Sequence, residues 1–288
     1  MSKRILLVGV ALLGVAAINL TACGNTNNEN ALVIGMECAY QPFNWTEAKA
    51  NEFTLPIDGT NEFADGYDVA VAKYLAEDLN RPVVIKRIVW DDLIPSLNNG
   101  SINMVLAGMS STAERRKTID FTDPYLESDL AFLIKTENLP AGNSKDNPAT
   151  YQQLLELFNG QSLICQAAVV GEDIIDDYFV GVEGYTIHHS APLPTYPLAA
   201  RDVLSGSAFA MPAELPVIEA AASSMQGLSV LYCDYSFLSE GDLEGLKVNI
   251  GIKKGNDQLR DDLNASLGRL SQERRSQMMG AASQRSAA

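Results

Sequence analysis

Positive charge is scarce in this chain of 288 residues: 21 Lys and Arg stand against 36 Asp and Glu, a net charge of −15. So acidic a surface repels phosphate backbones and anionic lipid headgroups, which argues against nucleic-acid binding and electrostatic membrane docking. Histidine is almost missing, with only His188 and His189, and the four cysteines have no CxxC spacing, so there is no zinc pattern. There is no Walker loop, no GxGxxG after a strand, no GxSxG and no HExxH. No cofactor and no metal are therefore expected. Long apolar runs are lacking too: after residue 22 none reaches the length of a membrane span, so the body of the chain is expected to be soluble. What is present fits a folded protein, with 47% hydrophobic and 20% charged residues. The length gives a prior of about two domains.

The exception to the missing apolar runs lies at the N-terminus. Lys3 and Arg4 precede the apolar stretch Ile5 to Ile18, and Leu20-Thr21-Ala22-Cys23 follows. That order describes a secretory signal over residues 1–22 rather than a spanning helix. Leu-Thr-Ala-Cys also resembles the bacterial lipobox, although an ordinary signal peptide with an incidental cysteine has the same form. The lipobox implies lipidation of Cys23 and an extracytoplasmic protein anchored to the membrane through it. Residues 23–30 then form a polar, flexible linker. Loss of Lys3 and Arg4 with the signal takes the net charge to −17. The remaining Cys38, Cys165 and Cys233 are an odd set, so at least one is a free thiol, read as a small buried hydrophobe.

From residue 31 short apolar runs alternate with helical periodicity, the pattern of an α/β protein with mostly parallel strands. Strands are expected at Ala31–Gly35, Val83–Val89 and Ile102–Ala107, with a helix over Asp68–Leu79 capped by Asp68. A further helix follows Asp92, and Ser111-Thr112-Ala113-Glu114 has the spacing of a capping box. The turn-rich segment Glu137–Pro148 marks a domain crossing. A second α/β set opens at a capping box, Thr150 and Gln153, and runs on through Met211 and the helix Glu214–Ala222. The strand Val248–Ile252 and the helix Asp257–Leu270 then return to the first set. The expected division is residues 31–134 and 232–276 in one lobe, 135–231 in the other, and a frayed tail over 277–288.

The segment Ala107-Gly108-Met109-Ser110-Ser111-Thr112-Ala113-Glu114-Arg115 carries the chemistry. A strand ends on small residues, hydroxyls follow, and a guanidinium stands beside a turn rich in free N–H groups. This is an anion seat at the carboxyl end of a strand, where open α/β sheets bind ligands. The same spacing also lets Arg115 pair with Glu114 or Asp120 on the surface.

Residues 107–125 closely resemble the signature of family 3 solute-binding proteins, which serve amino-acid ABC transporters. The likeness extends to Val33–Phe43, to Gly66-Tyr67-Asp68, to Trp90–Leu97 and to Asn249–Asn264. The resemblance implies a two-lobed periplasmic-binding-protein type II fold, each lobe a mostly parallel sheet flanked by helices, joined by a two-strand hinge. It also implies that Arg115 and Ser110 hold the α-carboxylate of a free amino acid. Ala107 and Gly108 would offer backbone groups near the α-amino group, and Tyr40 and Trp90 would cover the ligand's side chain or serve as core. Glu37 matches an acidic position at the pocket's edge. Glu214 falls where a carboxylate meets the ligand's ammonium, and it also stands where a helix favours an acid. The sequence departs from the family at Ala167-Ala168-Val169-Val170, where a hydroxyl pair is usual, leaving the backbone N–H of Val169 as its substitute.

The function implied is an amino-acid receptor of an ABC importer, a monomer that closes its lobes on the ligand and docks on a permease. Neutral, cationic or aromatic amino acids are favoured over acidic ones. The alternatives are a cyclohexadienyl-dehydratase-like enzyme using Glu214 as its acid, and a ligand-sensing receptor module.

Overall fold

The computed structural model describes residues 30–287, so the expected signal peptide and Cys23 lie outside the described residues. The chain opens with β1 (Leu32–Met36), followed by four short strands, β2 (Ala39–Tyr40), β3 (Asn44–Glu47), β4 (Leu55–Pro56) and β5 (Phe63–Asp65). Next come α1 (Tyr67–Leu79), β6 (Val83–Arg87), α2 (Leu93–Asn99), β7 (Met104–Val105), β8 (Ile119–Glu127) and β9 (Leu130–Lys135). The middle of the chain forms α3 (Tyr151–Phe158), β10 (Ser162–Leu163), α4 (Val170–Tyr178) and β11 (His188–His189). It continues through α5 (Tyr196–Ser205), β12 (Ala210–Glu214), α6 (Leu215–Ser224) and β13 (Leu228–Tyr232). The last elements are α7 (Glu240–Gly245), β14 (Lys247–Lys253), α8 (Asp257–Arg269) and α9 (Gln272–Ser286).

Two five-stranded sheets organise these elements, in the orders β6-β1-β7-β14-β8 and β11-β10-β12-β9-β13. In the first, β6, β1 and β7 are parallel and β14 runs against its neighbours. In the second, β11, β10 and β12 are parallel and β9 is the antiparallel member. Each lobe thus has the same winding, and the first strand of each set lies between the two that follow it. β1 reads Leu-Val-Ile-Gly-Met because it is an interior strand of its sheet and almost wholly buried.

Four local expectations change. Asp68 does not cap α1; Gly66 does, at φ 132°, where any Cβ would stand 2.1 Å from the Phe43 carbonyl oxygen. Asp68 is instead buried and accepts from Asn44 Nδ2 at 2.8 Å and from the Tyr125 hydroxyl at 2.6 Å. Ser111–Glu114 opens no α-helix, only the three-residue 3₁₀ turn Arg115–Lys117, because β8 begins at Ile119 and leaves no room. The run Leu130–Ile134, grouped with the first lobe by sequence, pairs with β12 and β13 of the second sheet, so the chain crosses at Ser128-Asp129. The return lies between β13 and β14, and there Tyr235 donates its hydroxyl proton to Asp129 beside the first crossing.

The tail does not fray. α9 buries Met279, Ala282 and Ser286, packs on α1 and α6, and pairs Arg285 with the buried Asp65 at 2.6 Å. Its small residues, which read as loose, permit that close packing. By contrast, the capping box at Thr150 and Gln153 forms with both of its bonds. Cys38, Cys165 and Cys233 are all buried free thiols, and burial pushes each up to about 12. No helix among the described residues is long and apolar enough to cross a membrane.

Candidate functional site

Parallel strands deliver their next residues to the same edge of a sheet, and here both sheets deliver them to one cleft between the lobes. Glu37 follows β1, Trp90 follows β6, and Gly108 and Ser110 follow β7. From the second lobe, Gln166 follows β10, Val169 caps α4, and Glu214 ends β12. Every candidate predicted from the sequence except Ala107 lines this cleft, whose empty space is about 460 Å³, partly open to solvent. Ala107 is buried and does not line it.

Arg115 reaches across the cleft. One terminal nitrogen donates to the Ser110 carbonyl and the other to the Ala168 carbonyl of the opposite lobe, each at 2.8 Å. The guanidinium carbon stands 5.2 Å from the centre of the Trp90 ring, and the indole N–H donates to the same Ala168 carbonyl at 3.0 Å. Ala168 directs its carbonyl there from a left-handed conformation, φ 57°. Surface pairing of Arg115 does not occur: Glu114 pairs with Lys117, and Asp120 accepts from the Gly255 N–H. Burial pulls the Arg115 guanidinium below its ordinary value, against the opposing fields of Tyr196, Asp173 and Glu214. The segment that lacks the usual hydroxyls therefore engages Arg115 through backbone instead.

Glu214, on the far wall, is buried and accepts a hydrogen bond from the Tyr40 hydroxyl. Burial raises its pKa, opposed by that hydrogen bond and by Arg115. Tyr40 itself is stacked between Phe43 at 5.2 Å and Tyr196 at 4.6 Å, so both ring faces are covered and its hydroxyl faces the acid. The ring packs over Gly108, where φ is 65° and a Cβ would fall 2.7 Å from Tyr40 Cε1. Beneath, the Gly108 N–H donates to the Tyr125 hydroxyl, which donates to Asp68. That buried chain fixes the loop carrying Ser110, whose backbone pairs with Val248.

Glu37 faces Gln166 of the other lobe, whose Nε2 lies 3.4 and 3.3 Å from the two carboxylate oxygens. Burial pushes the Glu37 carboxyl up to about 7, with Gln166 lowering it and Asp91 raising it. Sequence reading passed over Gln166 and Tyr196 as site residues. Gln166 follows β10, and a polar residue just past the carboxyl end of a parallel strand is a usable signal. Tyr196 opens α5, and nothing local announces that its ring stacks on Tyr40 from the other lobe. Leu130, Ile174 and Leu246 supply apolar wall. Among the described residues no cluster of three His, Cys, Asp or Glu side chains could hold a metal ion.

The family of bacterial extracellular solute-binding proteins, family 3, matches residues 32–279. The chain belongs to this family. Membership places it on the extracytoplasmic side of the cell. The arginine-binding extracellular protein ArtP of Bacillus subtilis is 30% identical over 143 residues, 48% of this chain and 50% of that protein. The octopine-binding periplasmic protein of Rhizobium meliloti is 25% identical over 262 residues, 85% of this chain and 81% of that protein. Several matches are shorter, and there the chain spans about half the length of the curated relatives. Among solved structures, an amino acid ABC transporter substrate-binding protein, AbpA of Streptococcus pneumoniae bound to L-arginine, superposes with a TM-score of 0.71 at 18% identity. That superposition covers 90% of this chain and 97% of the other, and it shows a shared fold. The two-lobed α/β architecture implied by the signature at residues 107–125 is therefore the fold of this family member.

Proposed function

We propose that the protein is the amino-acid receptor of an ABC importer, held at the membrane by a lipid on Cys23, and that its lobes close on one free amino acid. Arg115 and the Ser110 hydroxyl take the α-carboxylate, with the Val169 N–H at the start of α4 in place of the missing hydroxyls. Glu214 takes the α-ammonium, beside the backbone of Ala107 and Gly108. Trp90 backs Arg115 and walls the ligand, while Tyr40 orients Glu214. The cleft needs no cofactor for this role, and a permease reads the closed surface of a monomer. The observation that carries the reading is a half-buried guanidinium and a buried carboxylate on opposite lobes of one cleft.

A ligand that binds only the folded protein raises its melting temperature. A thermal-shift screen of the twenty amino acids should find one or a few that do so, and Arg115→Ala should abolish the shift while leaving circular dichroism unchanged. No shift with any amino acid would overturn the proposal. A receptor, as opposed to a dehydratase, also leaves prephenate and arogenate unconverted to aromatic products over hours of incubation.

A further inference from the structure

We infer that Glu172 is a positioning residue of the cleft: it holds the Ala168 carbonyl on Arg115 and Trp90, and so sets how firmly the lobes close over the carboxylate end of a ligand. This rests on the receptor reading and adds to it a residue that lies outside the cleft lining. Ala168 is the point at which lobe II meets two donors of lobe I. Its carbonyl accepts from an Arg115 terminal nitrogen at 2.8 Å and from the Trp90 indole at 3.0 Å, which engages both lone pairs of one oxygen. The aim of that oxygen depends on the left-handed backbone of Ala168, φ 57°, a conformation that a residue with a Cβ adopts only under constraint.

Glu172 supplies the constraint. Val169, the N-cap of α4, has an apolar side chain and makes no cap, so the start of the helix depends on another acceptor. In a capping box the acid at the third helical position takes the N–H of the N-cap residue itself. Glu172 stands at that position but reaches one residue further back, and its Oε2 accepts from the Ala168 N–H at 2.7 Å. The strained residue is thus pinned on its N–H side by Glu172 and on its carbonyl side by Arg115 and Trp90. Upstream, the Ala167 N–H donates to the Leu193 carbonyl at 2.9 Å, so the chain is tied just before the left-handed residue as well. Because Glu172 takes the Ala168 N–H, it leaves the N–H of Val169, part of the cleft wall, to a ligand. Its own carboxylate is half-buried in the open groove beside Trp90 and Arg115, and among the described residues it forms no ion pair. The Arg115 fork is held by carbonyls on both sides, Ser110 in its own lobe and Ala168 in the other. If the Ala168 peptide turns away, the fork loses its lobe II support, and the closed state loses a bond at the end of the cleft that takes the carboxylate.

Two variants separate reach from charge. Glu172→Gln removes the charge but keeps an oxygen that can accept from the Ala168 N–H; Glu172→Asp keeps the charge at the helix start but is one methylene too short. Both, with the wild type, are titrated calorimetrically as the whole mature protein with each of the twenty L-amino acids, and the binders are followed in stopped flow. Glu172→Asp should bind about tenfold more weakly, through faster dissociation, because the Ala168 bond to Arg115 forms only as the lobes meet. Glu172→Gln should stay within about threefold of wild type. Without ligand, tryptophan emission should move to longer wavelength in Glu172→Asp and not in Glu172→Gln, since only the shorter acid lets the Trp90 indole exchange the Ala168 carbonyl for water. An acid acting only through its charge at the helix start gives the opposite order, with Glu172→Gln the weaker. That order, or wild-type affinity and emission in both variants, would overturn the inference and leave the receptor reading standing. Binding of no amino acid by the wild type overturns both.

Discussion

Replacing Arg115 with lysine separates charge from shape at the centre of the cleft. The guanidinium donates to two carbonyls on opposite sides, Ser110 and Ala168, each at 2.8 Å, and lies over Trp90. An ammonium keeps the positive charge but reaches only one of those carbonyls, and it meets a ligand carboxylate through one N–H instead of a parallel pair. Hydrogen bonds to charged groups contribute roughly 1.5–3 kcal/mol each, so losing one to the protein and one to the ligand costs about 3–6 kcal/mol. At about 1.4 kcal/mol per decade, Kd should rise by about two to four orders of magnitude. The fold should survive, because the Ala168 carbonyl still accepts from the Trp90 indole at 3.0 Å. Calorimetry with the best ligand from the thermal-shift screen, beside thermal melts of both proteins, measures this. A Kd within threefold of wild type at unchanged melting temperature would refute the assignment of Arg115 to the carboxylate.

Asp68 makes stability fall with rising pH. Burial pushes its carboxyl up to about 7 against the hydrogen bonds of Tyr125, Asn44 and Gly108, whereas in the unfolded chain it titrates at its ordinary 3.8. Between those values the folded state holds a proton that the unfolded state has lost, so stability declines by up to about 1.4 kcal/mol per pH unit and levels above 7. Asp68→Asn should lessen that slope in denaturant titrations at pH 4.5, 5.5 and 6.5, leaving the share of Glu37, which burial also raises to about 7; an identical slope would count against the burial argument. Gly108→Ala should cost about 1–2 kcal/mol through its left-handed backbone, and should also weaken ligand binding by pushing Tyr40 aside; intact affinity would mean the Tyr40 contact is dispensable.

The local and periodic parts of this molecule are legible in its sequence. The strand at Leu32–Met36, the helices over Tyr67–Leu79 and Asp257–Arg269, and the box at Thr150 and Gln153 follow from patterns that span a few residues. The short antiparallel sheet between Ala39 and Asp65 left no such signature, because its strands are two to four residues long. The lobe boundary was displaced because Leu130–Ile134 follows β8 directly, and apolar composition does not say which sheet a strand joins. Asp68 misled for a related reason. An acid at the start of a helix looks like a cap, and only the distant hydroxyl of Tyr125 reveals that it is a buried acceptor.

The cleft is the extreme case of that limit. Tyr40 and Glu214 are 174 positions apart in the chain, Glu37 and Gln166 are 129 apart, and Arg115 and Ala168 are 53 apart. Each pair joins one lobe to the other, so no rule of local spacing can associate them, and each is broken when the lobes separate. Uncharged members of such a set contribute roughly 0.5–1.5 kcal/mol net and charged ones more, since water replaces whatever is lost. The closed form therefore holds a few kcal/mol of cross-cleft bonding that opening must overcome even without a ligand. Under the receptor reading, a ligand adds to that only through its preference for the closed state. An open lobe I offers it Arg115 alone, and an open lobe II offers Glu214 alone, whereas closure supplies both. A molecule bearing only a carboxylate should then bind without driving closure, and one bearing both charges should do both. That difference, read as the change in radius of gyration on adding propionate or an amino acid, sets a ligand that merely occupies the cleft apart from one that shuts it.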